Sequence, residues 1–251
     1  MRKYILIKII PLLVLISCAT VETQTNNTVV IEEPNEIDEN QLFIEYLDKD
    51  WEKNLDNNPL FASYTGDKSS NDKINSNSIE QFIKEKESDQ NSLYLLNKID
   101  LSKLSKENQL NYKLKEFGLS NSVNAAQFPT YYLRLNQRGG IQSFYETGNR
   151  LVYATEKDYY DWFKRLEQFV DNINNSLVIN KEGLAKGHTQ PKLVTKGVLA
   201  QLDAMIKSDI SSNPYLKVFK DADESIINIE DKNKLIDDAI LLIENRINPA
   251  Y

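Results

Sequence analysis

Residues 155–177 read TEKDYYDWFKRLEQFVDNINNSL, and this stretch decides the fold. Tyr159, Trp162, Phe163, Leu166, Phe169, Val170, Ile173 and Leu177 recur at steps of mostly three and four, the period of one helix face. Thr155 can cap the free amides of a helix start, and Glu156 and Asp158 suit its positive end. The helix is expected to continue or bend until Lys186-Gly187, where glycine can take the left-handed turn that closes a helix.

Working outward, helical spacing recurs on both sides. Leu42, Phe43, Tyr46, Leu47, Trp51 and Leu55 make one apolar face that Asn57-Asn58-Pro59 stops. Ser78 and Gln81 have the spacing of a capping box, and Ser105 is a candidate N-cap before Leu110, Leu114 and Phe117. Downstream, Pro191 suits a first helical turn, with Val194, Val198, Leu202 and Ile206 expected inward. Asn213-Pro214 breaks the chain before a last helix carrying Leu235, Ile236, Ala239, Ile240, Leu242, Ile243 and Ile247. Between these blocks, residues 121–150 depart from the pattern. Tyr131-Tyr132-Leu133 reads as extended, and Gly139-Gly140 permits backbone angles that other residues avoid. No repeat of 20–50 residues is evident. The expected fold class is therefore mainly α: a multi-helix domain with one extended glycine-containing segment around residues 121–150.

The start of the chain carries an address. Met1-Arg2-Lys3, an apolar run from Tyr4 to Ile16 broken by Lys8 and Pro11, and Leu15-Ile16-Ser17-Cys18 read as a lipoprotein signal peptide over residues 1–17. The run is too short to span a bilayer. Cys18 is the only cysteine and the expected lipidation site; several acyl chains hold a protein on a membrane where one does so only marginally. Residues 18–38 are read as the acylated cysteine and a flexible polar tether, and residues 39–251 as the helical body. Ala19 after the cysteine, rather than Asp, fits the sorting pattern of the outer membrane, facing the periplasm.

The chain has a formal net charge of −7, and loss of residues 1–17 would remove Arg2, Lys3 and Lys8 but no acid. An acidic chain without basic runs argues against nucleic acid as a partner. With Cys18 acylated no thiol remains, so no disulfide or thiolate site can form.

Few residues suggest chemistry. His188 is the only histidine, so a paired-imidazole zinc site and a serine triad both lack parts, and an exposed or capping role in the turn Lys186-Gly187-His188-Thr189 is the simpler reading. The pairs Glu156/Asp158 and Asp221/Asp223 have the types for acid–base work, but acids at a helix start usually serve the dipole. Asn136-Gln137-Arg138-Gly139-Gly140 sets two amides and a cation beside residues that let backbone come close. Asn136, Gln137, Gly139 and Gly140 are therefore candidates for lining a peptide-binding cleft, the alternative being that the amides satisfy the loop's own backbone.

Distributed motifs add a family. Asp50-Trp51, Pro59-Leu60-Phe61-Ala62 with Gly66-Asp67, Ile99-Asp100, Leu110-Asn111-Tyr112, Asn136-Gln137-x-Gly139-Gly140, Asp158-Tyr159, Glu182-Gly183-Leu184-Ala185-x-Gly187, Asn213-Pro214-Tyr215 and Pro249-Ala250-Tyr251 stand in order. In this the chain resembles the bacterial domain of unknown function 885 (DUF885) family, exported helical proteins that are often lipoproteins. The resemblance implies a likeness to zinc peptidases whose metal motif, of the His-Glu-x-x-Pro-Gly-His-His kind, lies beyond the region matched. Zinc is thus implied for a full-length relative, and no cofactor, catalytic residue or metal ligand for this chain. The expectation is an N-terminal fragment, inactive alone, that exposes apolar faces over residues 159–177 or 235–247. The alternative is a non-catalytic helical envelope lipoprotein that binds peptide or a protein partner.

Overall fold

The computed structural model describes residues 38–251, and the signal segment, Cys18 and the tether up to Ile37 lie outside the described residues. Asp38, read above as the last tether residue, is already structural: its carboxylate accepts the Asn40 amide at 2.9 Å and caps the first helix. The described chain is mainly helical, and among these residues there is no strand.

In order the helices are α1 (Glu39–Asn57), α2 (Pro59–Thr65), α3 (Ile79–Leu96), α4 (Lys106–Ala125) and α5 (Tyr145–Gly148). They continue with α6 (Glu156–Ala185), α7 (Lys192–Lys207), α8 (Lys217–Lys220), α9 (Ile229–Leu242) and α10 (Asn248–Ala250). Pro59 both ends α1 and opens α2, because proline lacks the amide that an interior position needs but a first turn does not. Gly66 and Gly187 close α2 and α6 at φ +93° and +79°, where a side chain would be strained. Ser78 caps α3 as expected, but Gln81 donates to Glu85 rather than reaching back, so only half of the box is made. A π-helical turn, Ile243–Ile247, joins α9 to α10, just before Pro249, whose missing amide and ring disturb the regular helical ladder.

Two apolar cores organise these helices. Phe43, Leu96, Ile99, Leu104, Tyr112 and Leu119 gather α1, α3 and α4. The larger core gathers Trp162, Leu166 and Phe169 of α6 with Tyr215, Phe219, Leu235, Ala239, Ile243 and Ile247. The α6 stripe is thus buried, except that Phe163 is partly buried and Leu177 at its end is half exposed. The expected exposure of residues 159–177 and 235–247 is corrected: both carry the main core. Leu110, Leu114 and Phe117 do lie on a helix, but they are 60–68% exposed, and the inward face of α4 is Tyr112 and Leu119 instead. On α7 Val198 is buried and Ile206 turns outward.

The segment read as extended is corrected too. The helix α4 runs on to Ala125, and beyond it Thr130–Leu133 and Ile141–Ser143 are single 3₁₀ turns followed by the short α5. Tyr132 is buried there because its ring packs on the end of α6, and that burial overrides the local preference of two adjacent tyrosines for extended backbone.

A polar seam joins the α2–α3 loop to α6. Arg165, Gln168, Asn172 and Ser176 follow one another at helical spacing. Arg165, fully buried, donates to the carbonyls of Pro59 (3.2 Å) and Lys73 (2.8 Å) and to Ser63 Oγ (2.7 Å). Gln168 donates to Asp72 O at 2.6 Å and accepts the Ile74 amide at 3.3 Å. Asn172 donates to Asn75 O at 2.9 Å and accepts the Asn77 amide at 3.1 Å.

Candidate functional site

Where this seam ends, a cleft of about 390 Å³ opens between α6 and the 130–150 turns. Phe82, Tyr131, Phe144 and Phe169 supply apolar walls, and Asn77, Asn172, Ser176 and Asn180 line it with polar groups. Phe144 stacks on Phe169 with ring centres 4.2 Å apart, fixing one wall to the main core. Asn77 Nδ2 donates to Ser176 Oγ at 2.8 Å and to Asn172 O at 3.0 Å. Its Oδ1 is buried and accepts no hydrogen bond among the described residues. Asn180, one turn beyond Ser176, continues the polar row into the cleft.

The predicted loop divides between two roles. Gly139 and Gly140 line the cleft; Asn136 and Gln137 do not. Asn136 Oδ1 accepts the amides of Arg138 (2.9 Å) and Gly139 (3.1 Å), and its Nδ2 donates to Arg134 O at 3.0 Å. The amide is therefore spent on the loop itself. Gln137 faces a second depression with Gln201 and Met205, and its carbonyl accepts from Gln201 Nε2 at 3.0 Å. The backbone-angle argument for the two glycines is corrected as well, since Gly140 has an ordinary φ of −76° and neither is left-handed. Gly140 is required for space: a Cβ there would lie 2.4 Å from Gln142 Oε1 and 2.6 Å from Asn136 O. Nothing lies within 4 Å of the corresponding position on Gly139.

Two motifs far apart in the chain converge behind the loop. Tyr251 donates to Ile141 O at 3.1 Å, and the hydroxyls of Tyr215 and Tyr251 are 2.7 Å apart. With the Tyr251 proton directed to Ile141, Tyr215 is the donor in that pair. The chain Tyr215–Tyr251–Ile141 anchors the turn that follows Gly140.

The remaining candidates serve structure. Asp158 is buried and accepts from Lys68 Nζ (2.6 Å) and from the amides of Ala154 (2.9 Å) and Thr155 (2.8 Å). Burial would raise its pKa, but the Lys68 bond and those amides outweigh it and hold the carboxyl below the ordinary aspartate value. Asp221 pairs with Lys217, and Asp223 accepts the Ser225 amide at 2.8 Å. His188 stacks on Tyr132 at 5.4 Å, and its amide donates to Gly183 O at 2.8 Å in the turn closing α6. Tyr132 donates to Glu182 at 2.6 Å, which pushes its hydroxyl up to about 12. No group of three or more His, Cys, Asp or Glu side chains able to hold a metal occurs among the described residues. The zinc implied for longer relatives therefore has no fitting ligand set among them.

The wider order of motifs has a counterpart in known proteins. The family model for a bacterial protein of unknown function, DUF885, matches residues 59–251. The chain belongs to the DUF885 family. Its fold is similar to the crystal structure of a candidate lipoprotein from Colwellia psychrerythraea, with a TM-score of 0.66 at 18% identity. That match covers 85% of this chain and 40% of the other, so the DUF885 chain spans well under half of that longer protein. No curated protein matches.

Sequence reasoning missed the row Arg165, Gln168, Asn172, Ser176 and Asn180. Its signal was present as polar residues at steps of three and four along a helix judged only by its apolar stripe.

Proposed function

We propose that this DUF885 chain is a bacterial lipoprotein, anchored through Cys18 on the outer membrane and facing the periplasm, whose helical body holds peptide. In this reading it is the N-terminal, peptide-holding part of a metallopeptidase-like protein and does not hydrolyse peptide alone. The observation that carries it is the polar row of α6 opening into the cleft. Gln168 and Asn172 each pair with both a carbonyl and an amide of an irregular backbone segment, Asp72 to Asn77. Asn180 and the unpaired Asn77 Oδ1 offer the same two functions inside the cleft, with aromatic walls for side chains.

The test uses the full chain in detergent micelles with a fluorescent acetylated tetrapeptide library and added zinc. Saturable binding that Asn180→Ala weakens several-fold, without turnover, is the expected result. Chelator-sensitive hydrolysis would overturn the inactive-alone reading, and absence of any peptide binding would overturn the peptide-holding one. A second reading, a non-catalytic envelope lipoprotein that docks a protein partner, is favoured by the exposed row Leu110, Leu114 and Phe117 on α4.

A further inference from the structure

The cleft has a charge opposite to that of the chain around it. The described residues include five arginines, and three of them, Arg134, Arg138 and Arg150, line this one cleft with a single carboxylate, Glu146. The whole chain is acidic, at −7. A chain with few arginines that places most of them round one cavity has built a local positive potential there.

The three cations differ in how far they are already engaged. Arg150 Nη2 meets Glu146 at 2.9 Å, an exposed pair. Arg134 lies over the ring of Phe82 at 4.1 Å from its centre, a contact that orients the guanidinium plane but uses none of its hydrogen-bond donors. Neither Arg134 nor Arg138 is bridged to a carboxylate among the described residues. Partial burial lowers the Arg134 pKa, with Glu85 opposing through its charge, so part of the desolvation that ligand binding would impose is already in place. Gly140 keeps the loop wall bare beside them, since no side chain fits at that position.

We propose that the cleft recognises a carboxylate on its bound peptide, through Arg134 and Arg138, with Arg150 kept in reserve by Glu146. Arginine presents a planar fork of donors that matches a carboxylate, and the contact strengthens where water is partly excluded. Asn77 Oδ1 adds an acceptor at the same cavity, suited to a peptide N–H near that carboxylate. The carboxylate could be the peptide's C-terminus or an Asp or Glu side chain, since both present the same group.

This inference rests on the peptide-holding reading, and the experiment separates the two. The full chain in detergent is titrated with three acetylated peptides of one length: a neutral sequence as the free acid, the same sequence as the C-terminal amide, and an amide carrying one internal Glu. A gain of about tenfold or more over the neutral amide by the free acid alone assigns the C-terminal carboxylate, by the Glu peptide alone the side chain, and by both a carboxylate of either kind. In each case Arg138→Gln should remove most of that gain, lower the neutral amide's affinity far less, and leave the melting temperature unchanged. Arg138→Lys should restore part of it, and added salt should weaken the acids selectively. If the neutral amide binds as tightly as both acids, the carboxylate proposal fails while peptide holding stands. If no peptide binds, both fail.

Discussion

At Gly148 the residue type is dictated by a neighbour rather than by its own backbone. A Cβ there would fall 2.4 Å from Cζ2 and 2.6 Å from Cε2 of Trp162, which is 1% exposed. An indole ring locked in a core cannot swing aside as a long flexible chain would, so Gly148→Ala should overpack the site. We expect a loss of about 2–3 kcal/mol, read as a fall in melting temperature of roughly 5–10 °C. A melting temperature unchanged within a degree would show that α5 shifts freely and that Gly148 is not a packing constraint. Gly140 follows the same logic beside the backbone carbonyl of Asn136, which cannot give way as the end of the Gln142 side chain could. In both cases glycine's local meaning in the sequence, a turn or an unusual angle, differs from its meaning in the fold, which is lack of room.

At the scale of elements, α6 shows how a helix start can store pH-dependent stability. Asp158 sits three residues into the cap, buried, and binds Lys68 from the α2–α3 loop as well as two amides of its own turn. Its pKa is lowered on folding. A depressed carboxyl contributes stability that is complete above the unfolded aspartate value of about 3.9 and fades as pH falls through the lower folded value. Chemical denaturation of the full chain between pH 7 and pH 2 should therefore show an acid-side decline that Asp158→Asn makes shallower, on top of lower stability at neutral pH. A variant with the same slope as the parent would rule out Asp158 as a contributor. The same scale separates readable from unreadable faces. Spacing placed α1, α3, α4, α6, α7 and the last helix, and Ser78, Ser105 and Gly187 marked ends, because these depend on local hydrogen bonding. Which side of α4 turns inward depends on α1 and α3, and there Tyr112 and Leu119 prevailed over the more apolar trio Leu110, Leu114 and Phe117.

At the scale of the described molecule, the two cores are unequal. The α1–α3–α4 core holds six buried apolar residues, whereas the core around α6 and α9 is much larger and rich in stacked rings. Opening free energies scale with buried contact, so amide exchange should be faster in α1, α3 and α4 than in α6 and α9. Equal protection across both sets, measured by mass spectrometry on the full chain, would show that the seam from Arg165 to Ser176 makes them one cooperative unit. That seam also explains why the candidate site was only half legible. The sequence by itself determined the helical class, several helix ends, the family and the segment on which Gly139 and Gly140 lie, since these follow from periodicity, capping chemistry and the order of motifs. Only the tertiary structure decided that Asn136 serves its own loop and that Arg134, Arg138, Arg150, Asn77 and Asn180 share one cleft. Residues so far apart in the chain meet through packing of Phe144 on Phe169 and the pairing of the α2–α3 loop with α6, and no local period encodes such a meeting.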